Sequence, residues 1–305
     1  MKPKEYNNNL TNQEKDSKMK TADFKIDVTN KIIEQMKTCG TNWARSWVGN
    51  ATGLPKNTVS QNHYNGINIL LLMMEEQPSQ EWATYKQWTE QGEQVKKGEK
   101  GTHIIFYKTL KIEDKKTGEE NKIPMMKTYC VFNRAQLENY QAPTGDQEKF
   151  NHADAEKFIY NTGANIFWEG DKAYYRPSND QIVMPNKEDF IKTDDATAEQ
   201  NYYGTLFHEL THWTGNTNRL DRLIKRSTKK EYAFEELVAE IGATFLNIKF
   251  NIEPTPREDH AKYLNNWLEV LEEDKGAIFR ASAKSGKALE FLEDLQTEEQ
   301  KRKVA

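Results

Sequence analysis

Cysteine is scarce in this chain. Cys39 and Cys130 are the two present in 305 residues, far apart and outside any CxxC pattern. With no secretory signal in the sequence, reduced thiols in a cytoplasmic protein are the expectation. Long apolar runs are also missing. The longest, Ile67 to Met74, contains Asn68 and is far too short to cross a bilayer. There is no internal repeat, and no strong excess of either charge. Residues 1–127 carry 20 Lys+Arg and 16 Asp+Glu, or +4, and the remainder carries −8, which gives the net −4. A value of +4 does not by itself mark nucleic-acid binding, but it places any polyanionic partner on the N-terminal half. What is present is a polar chain, 36% hydrophobic and 30% charged, with 11% aromatics to supply cores and length enough for two modest domains.

The most directive pattern is His208-Glu209-Leu210-Thr211-His212, the HExxH of zinc hydrolases. Histidines four apart on a helix differ by about 40° in direction and one turn in height, so both rings can reach one ion. Glu209 would then lie beside a water on that ion and take its proton. The run from Glu199 to Gly215 reads as one helix, with Leu206, Leu210 and Trp213 as its buried stripe. Asp194, Asp195 or Thr197 is available to cap its start, and Gly215 suits a left-handed stop. A third protein ligand is required. Residues Tyr232 to Leu246 form a second helix pattern, on which Glu236 and Glu240 share a face one turn apart. Glu236 is the expected ligand, and Glu240 the expected carboxylate behind a ligand histidine. The sequence leaves the reverse assignment open. Glu235 should point elsewhere as a solvated charge. The nitrogen and oxygen donor set points to Zn2+, with another divalent ion such as Mn2+ also compatible. Tyr203 and Tyr232 are candidates for stabilising an oxyanion.

The fold class expected is α+β, in two domains. Residues 1–21 read as a disordered tail and 22–140 as a small α+β domain. Residues 141–150 read as a linker, 151–299 as a domain built on the metal helix, and 300–305 as a tail. In the first domain a helix through Val28, Ile32, Ile33 and Met36 ends at Gly40, and another runs through Leu70 to Met74. Thr84 to Gln87 is a capping box. Thr102 to Ile112 and Met125 to Phe132 read as a hairpin around Lys115-Lys116-Thr117-Gly118. In the second, Asn165–Trp168, Ala173–Arg176 and Gln181–Met184 are short strands that would make a small antiparallel sheet beside the metal helix. Two closing helices follow between His260 and Leu295.

The N-terminal half interleaves cations with rings. Arg45 lies between Trp43 and Trp47, and Lys86 lies between Tyr85 and Trp88. Lys96, Lys97 and Lys100 precede His103, Phe106, Tyr107 and Lys108. Lysines can follow a phosphate backbone while exposed rings stack on unpaired bases without reading sequence. The competing reading is that most of the rings are core and most of the lysines serve solubility.

Several segments then carry a resemblance. Asn62 to Leu72, Trp82 to Trp88, Gly92 to Gly101 and Val131 to Asn133 resemble the N-terminal domain of the ArdC antirestriction family, which also occurs in plasmid primases of the TraC type. Tyr174 to Pro185, Thr205 to Gly215, Arg219 to Arg222 and Glu235 to Glu240 resemble that family's zincin-like metallopeptidase domain. The resemblance covers about residues 22–295. It implies a protein of plasmids, conjugative elements or phages whose first domain binds single-stranded DNA and which shields incoming DNA from restriction. It matches His208, Glu209 and His212 to the family's HExxH, and Glu236 and Glu240 to its downstream carboxylates. The leading reading is a sequence-tolerant single-strand binder joined to a zinc metallopeptidase-like domain that acts on a protein substrate. Two alternatives are a non-catalytic DNA-protecting protein with a structural metal, and a metalloprotease effector whose N-terminal half binds protein.

Overall fold

The computed structural model describes residues 21–45, 53–113, 120–142, 151–223, 228–255 and 260–304. The proposed N-terminal tail, Trp47, the Lys115–Gly118 turn and most of the 141–150 linker lie outside these residues. The chain is a mixed helix and sheet structure, as its pattern of elements implies.

Helix α1 (Thr21–Cys39) ends where Gly40 takes φ +58°, a conformation that costs glycine little. A four-stranded sheet follows, built from β1 (Lys56–Asn57), β2 (Glu81–Thr84), β3 (Thr102–Glu113) and β4 (Glu120–Asn133) in the order β1-β2-β4-β3. Strands β3 and β4 pair antiparallel from Thr102↔Val131 to Glu113↔Glu120, whereas β2 pairs with β4 only at Val131 to Asn133. Most of the hairpin therefore runs beyond the rest of the sheet. Helix α2 (Ile67–Met73) packs on it, and Asn68 bonds both the N–H and the carbonyl of Ile105, at 2.9 and 2.7 Å, closing that part of the outer edge of β3. Helix α3 (Tyr85–Glu90) opens on the anticipated capping box of Thr84 and Gln87. Strand β2 itself has no signal in the sequence beyond Trp82, because four residues are too few to show a period.

Helix α4 (His152–Thr162) leads into the second sheet, β5 (Asn165–Trp168), β6 (Tyr174–Arg176) and β7 (Gln181–Met184), in the order β5-β7-β6. The strands fall where the sequence puts them, but the sheet is mixed. β6 pairs antiparallel with β7, while β5 pairs parallel with it. Four long helices complete the chain: α5 (Ala198–Thr214), α6 (Lys229–Phe250), α7 (His260–Glu273) and α8 (Ala277–Val304).

The two halves share one core. Ile32, Met36 and Trp43 of the first half pack in the same buried cluster as Trp267, Leu271 and Leu292 of the last helices. Trp43 meets Trp267 edge to face at 6.3 Å, and the Thr29 hydroxyl donates to the Lys275 carbonyl at 2.7 Å. Each such buried side chain contributes on the order of 1.5–3 kcal/mol, so α1 is held firmly against the closing helices of the C-terminal half.

Candidate metal centre

Helix α5 starts at Thr197, the third of the candidate caps. Its hydroxyl accepts from Gln200 N at 3.1 Å, and the Gln200 side chain accepts from Thr197 N at 2.9 Å. The helix end differs from expectation. Gly215 has φ −79°, so it is not a left-handed cap. Glycine is there because a Cβ would stand 3.0 Å from the Arg222 guanidinium and from Leu223. Helix α6 opens on a matching box of Thr228 and Glu231. The two helices approach closely at Gly242, where a Cβ would press on the Thr211 hydroxyl at 2.8 Å. That contact lets carboxylates of α6 reach the histidines of α5.

The arrangement is paired. His208 Nε2 lies 3.4 Å from Glu236 Oε2, and His212 Nε2 lies 3.4 Å from Glu236 Oε1. One donor atom from each of His208, His212 and Glu236 falls within 4.8 Å of the others. On the opposite edge of each ring, His208 Nδ1 is 3.5 Å from Glu240 and His212 Nδ1 is 3.4 Å from Glu235. The His212–Glu235 contact is a hydrogen bond, and an Nδ1–H that donates to a carboxylate leaves Nε2 as the basic nitrogen. Of the two arrangements the sequence left open, the geometry puts Glu236 between the rings and Glu240 behind one of them.

Glu235 is a correction. It is buried, 5% exposed, and forms an ion pair with Arg222 at 3.1 Å as well as facing His212. Arg222 also donates to the Thr211 carbonyl and the Thr214 hydroxyl, at 2.6 and 2.9 Å. The expectation of a solvated Glu235 assumed that α6 has a wet face. Every residue from Glu235 to Ile248 is buried, so no face of that stretch is wet.

Burial disfavours charge on all these groups, but their neighbours win. Burial opposes ionisation of Glu236, yet His212 and His208 hold its carboxyl far below the usual range. Burial likewise opposes a charge on His212, and Glu236 and Glu235 still raise its affinity for a proton. Glu235 is pulled down by His212 and Arg222 against its own burial.

The residues present fit a divalent ion. Ligands about 2.1 Å from a tetrahedral ion stand about 3.4 Å apart, which is the spacing of both Nε2 atoms from Glu236. Glu209, Glu235, Glu236 and Glu240 are all buried beside two imidazoles and the Arg222 guanidinium. By formal charge those seven groups sum to a net negative value even with both imidazoles counted as cations. Uncompensated buried charge costs several kcal/mol, and a dication removes that cost.

Glu209 is fixed from another side. Its Oε2 accepts from the backbone N–H of Tyr175, in the edge strand β6, at 2.9 Å. Tyr175 is itself tied down. Its hydroxyl donates to Asp180 at 2.7 Å and accepts from Asn216 at 2.7 Å, and Arg219 pairs with Asp180 while lying 3.8 Å from the Trp213 ring centre. Of the two tyrosines considered for an oxyanion, Tyr232 stands beside Glu236, and its hydroxyl meets that of Tyr263 at 3.1 Å. Tyr203 is elsewhere, buried, donating to Glu156 at 2.7 Å and accepting from Lys187 at 3.0 Å. Sequence reasoning missed Glu235, Arg222 and Tyr175. The Arg219-Leu-Asp-Arg222 and Tyr174-Tyr-Arg segments were visible, but nothing in their spacing said what they face.

The N-terminal candidates do not form one surface. Trp43 and Trp88 are fully buried, and the Trp88 indole donates to the Phe132 carbonyl at 3.0 Å. Neither ring can stack on a base. Arg45 pairs with Asp195 at 2.8 Å and donates to its carbonyl at 2.9 Å, tying the two halves together. Lys86 is exposed and pairs with Glu90 at 3.6 Å. Lys96, Lys97 and Lys100 are exposed in one turn, with Lys96 donating to the Ala135 carbonyl at 3.1 Å. Trp47 and the Lys108 side chain lie outside the described residues.

Two histidines from one helical turn, with a glutamate from a later helix, beside a short sheet whose edge strand holds the HExxH glutamate, define a zincin-like protein. Residues 153–284 match the family model for a zincin-like metallopeptidase, and residues 22–132 match the model for the N-terminal domain of anti-restriction factor ArdC. Among solved structures, the metal-free antirestriction ArdC protein from the R388 plasmid superposes with a TM-score of 0.74 at 36% identity, covering 90% of this chain and 98% of that one. Its Mn(II)-bound form gives 0.69 at 33% identity, with the same coverage. The protein y4eC of Sinorhizobium fredii is 34% identical over 295 residues, covering 91% of this chain and 94% of the relative. DNA primase TraC of Escherichia coli is 34% identical over 303 residues, but the chain spans only 28% of that primase's length. The chain belongs to the ArdC antirestriction family.

Proposed function

We propose that this protein binds single-stranded DNA through its N-terminal half and holds a divalent metal in its zincin-like half, where it hydrolyses a peptide bond. The observation that carries the metal reading is the closed set of His208 Nε2, His212 Nε2 and Glu236, each ring backed by a carboxylate at Nδ1. The Mn(II)-bound form of the R388 ArdC protein supports a divalent ion. Zn2+ suits the donor set equally. When bound, such an ion supplies Lewis acidity.

The chain's own residues do the rest. Glu240 and Glu235 orient the two imidazoles. The Tyr175 N–H orients Glu209, which takes the proton of the attacking water and passes it to the leaving amine. The Tyr232 hydroxyl, beside Glu236, donates to the oxygen on which charge develops. DNA binding is supported by the ArdC N-terminal match and by the exposed Lys96, Lys97 and Lys100 turn.

Glu209→Gln tests hydrolysis, because it keeps shape and hydrogen bonding while removing the base. It should retain metal and oligonucleotide binding and lose cleavage of an unfolded protein substrate along with DNA protection. A second reading has an observation of its own. The cluster is buried in a core shared by both halves, so a metal would also staple the fold. Full DNA protection by Glu209→Gln would establish that non-catalytic reading instead.

A further inference from the structure

With Trp43 and Trp88 in the core, the rings available to a ligand must be found elsewhere. Among the described aromatic side chains of residues 21–142, the exposed ones are Phe106, 61% exposed, and Tyr129, 42% exposed. They are neighbours, on adjacent strands of the β3–β4 hairpin, with centroids 6.2 Å apart and planes at 84°.

The register explains why they are bare. Ile104 pairs with Tyr129 and Phe106 with Lys127, so Phe106, Lys127 and Tyr129 share one face of the hairpin. All three are exposed. The alternate face is covered: Ile105 is buried, and Met126 packs against the main core. Nearer the sheet, the first face is also covered, since Ile104 and Val131 are buried with Trp82 and Leu72. The bare patch therefore begins where β2 ends. Away from the hairpin tip, where Glu113 pairs with Glu120, charge on these strands has one sign. Residues 102–112 and 123–132 contain Lys108, Lys111 and Lys127 and no acidic residue.

We propose that Phe106 and Tyr129, with Lys127 beside them on β4, form the base-stacking platform for single-stranded DNA. This rests on the DNA-binding reading above and locates it. Rings offer a π-face to any unpaired base, and the lysines match the phosphate charge, so the platform is tolerant of sequence. Duplex DNA keeps its bases stacked on one another and gives the rings nothing to hold.

The test uses the full-length protein and a poly-dT oligonucleotide, with affinity measured by fluorescence anisotropy across a salt series. Phe106→Ala and Tyr129→Ala should each weaken binding about five- to a hundredfold with the salt slope unchanged. Phe106→Trp should keep it, and Lys127→Gln should make the slope shallower by about one. Both rings are exposed, so the thermal midpoint should hold. If the unaltered protein binds steeply with salt and both alanine variants bind as well as it does, the platform is overturned while DNA binding stands. If duplex of the same length binds as tightly and is weakened equally, charge and not stacking is responsible, and the platform is again overturned. If the unaltered protein binds no oligonucleotide at low salt, both readings fall.

Discussion

The metal centre and the β3–β4 hairpin solve opposite problems. At the centre, four carboxylates, two imidazoles and a guanidinium are buried together, and most of them pair with one another. On the hairpin, two rings and a lysine are left in water with no tight geometry around them. A buried polar cluster is intolerant of change, because each lost partner leaves a charge stranded. An exposed platform tolerates change in stability, because removing one of its groups strands no buried charge. The same difference governs what the sequence reveals, and the expected effects of substitution follow it.

The largest effect should come from the centre. Arg222→Met leaves Glu235 buried without its cation and should lower stability by about 3–5 kcal/mol, read as a fall in the urea midpoint of the metal-free protein. If stability is unchanged, the pairing of Glu235 with Arg222 carries no weight. Glu235→Gln keeps the volume but weakens the hold on His212, and metal affinity should drop about 10–100-fold by competition with a chelator. The equivalent change at Glu240 should act similarly through His208. Unequal losses would show that Arg222, present behind only one of the two carboxylates described, tunes its histidine.

Next is the helix contact that assembles the centre. Gly242→Ala places a methyl against Thr211 and should cost about 1–3 kcal/mol in thermal or urea denaturation. The smallest effect should come at the rim. Arg219 holds the Asp180 carboxyl below its ordinary 3.8 against partial burial. A carboxyl depressed in the folded state adds stability above its unfolded pKa and loses it as pH falls. The thermal midpoint should therefore fall slightly less between pH 6 and pH 3 in Asp180→Asn than in the unaltered protein. Neither of these two changes should alter oligonucleotide affinity, and a loss there would show that the two regions are coupled through their common core.

How much was legible follows from the range of each interaction. The HExxH spacing is a local rule of helical geometry, so His208, Glu209 and His212 could be placed together from five residues. Glu236 and Glu240 required only one further helix and its period. The capping boxes at Thr84 and Thr197 and the strands at 165–168 and 181–184 are local as well. Glu235 was misread because facing direction on α6 was inferred from a solvent boundary that the other helices abolish. Tyr175 reaches Glu209 through a backbone N–H, for which side-chain chemistry gives no signal. Trp43 and Trp88 were candidate stacking rings because sequence records that a ring is present and not which side of the core it lies on. Phe106 and Tyr129 emerge only once the register of the hairpin is known, since they are 23 positions apart in the chain.

The central claim is that His208, His212 and Glu236 close on one divalent ion. Elemental analysis of purified protein, dialysed after loading with Zn2+ or Mn2+, tests it directly when run beside Glu236→Ala. One equivalent of metal per chain in the unaltered protein, and a negligible amount in the variant, is the predicted result. No stoichiometric metal in the unaltered protein, or an undiminished equivalent in the variant, would contradict it.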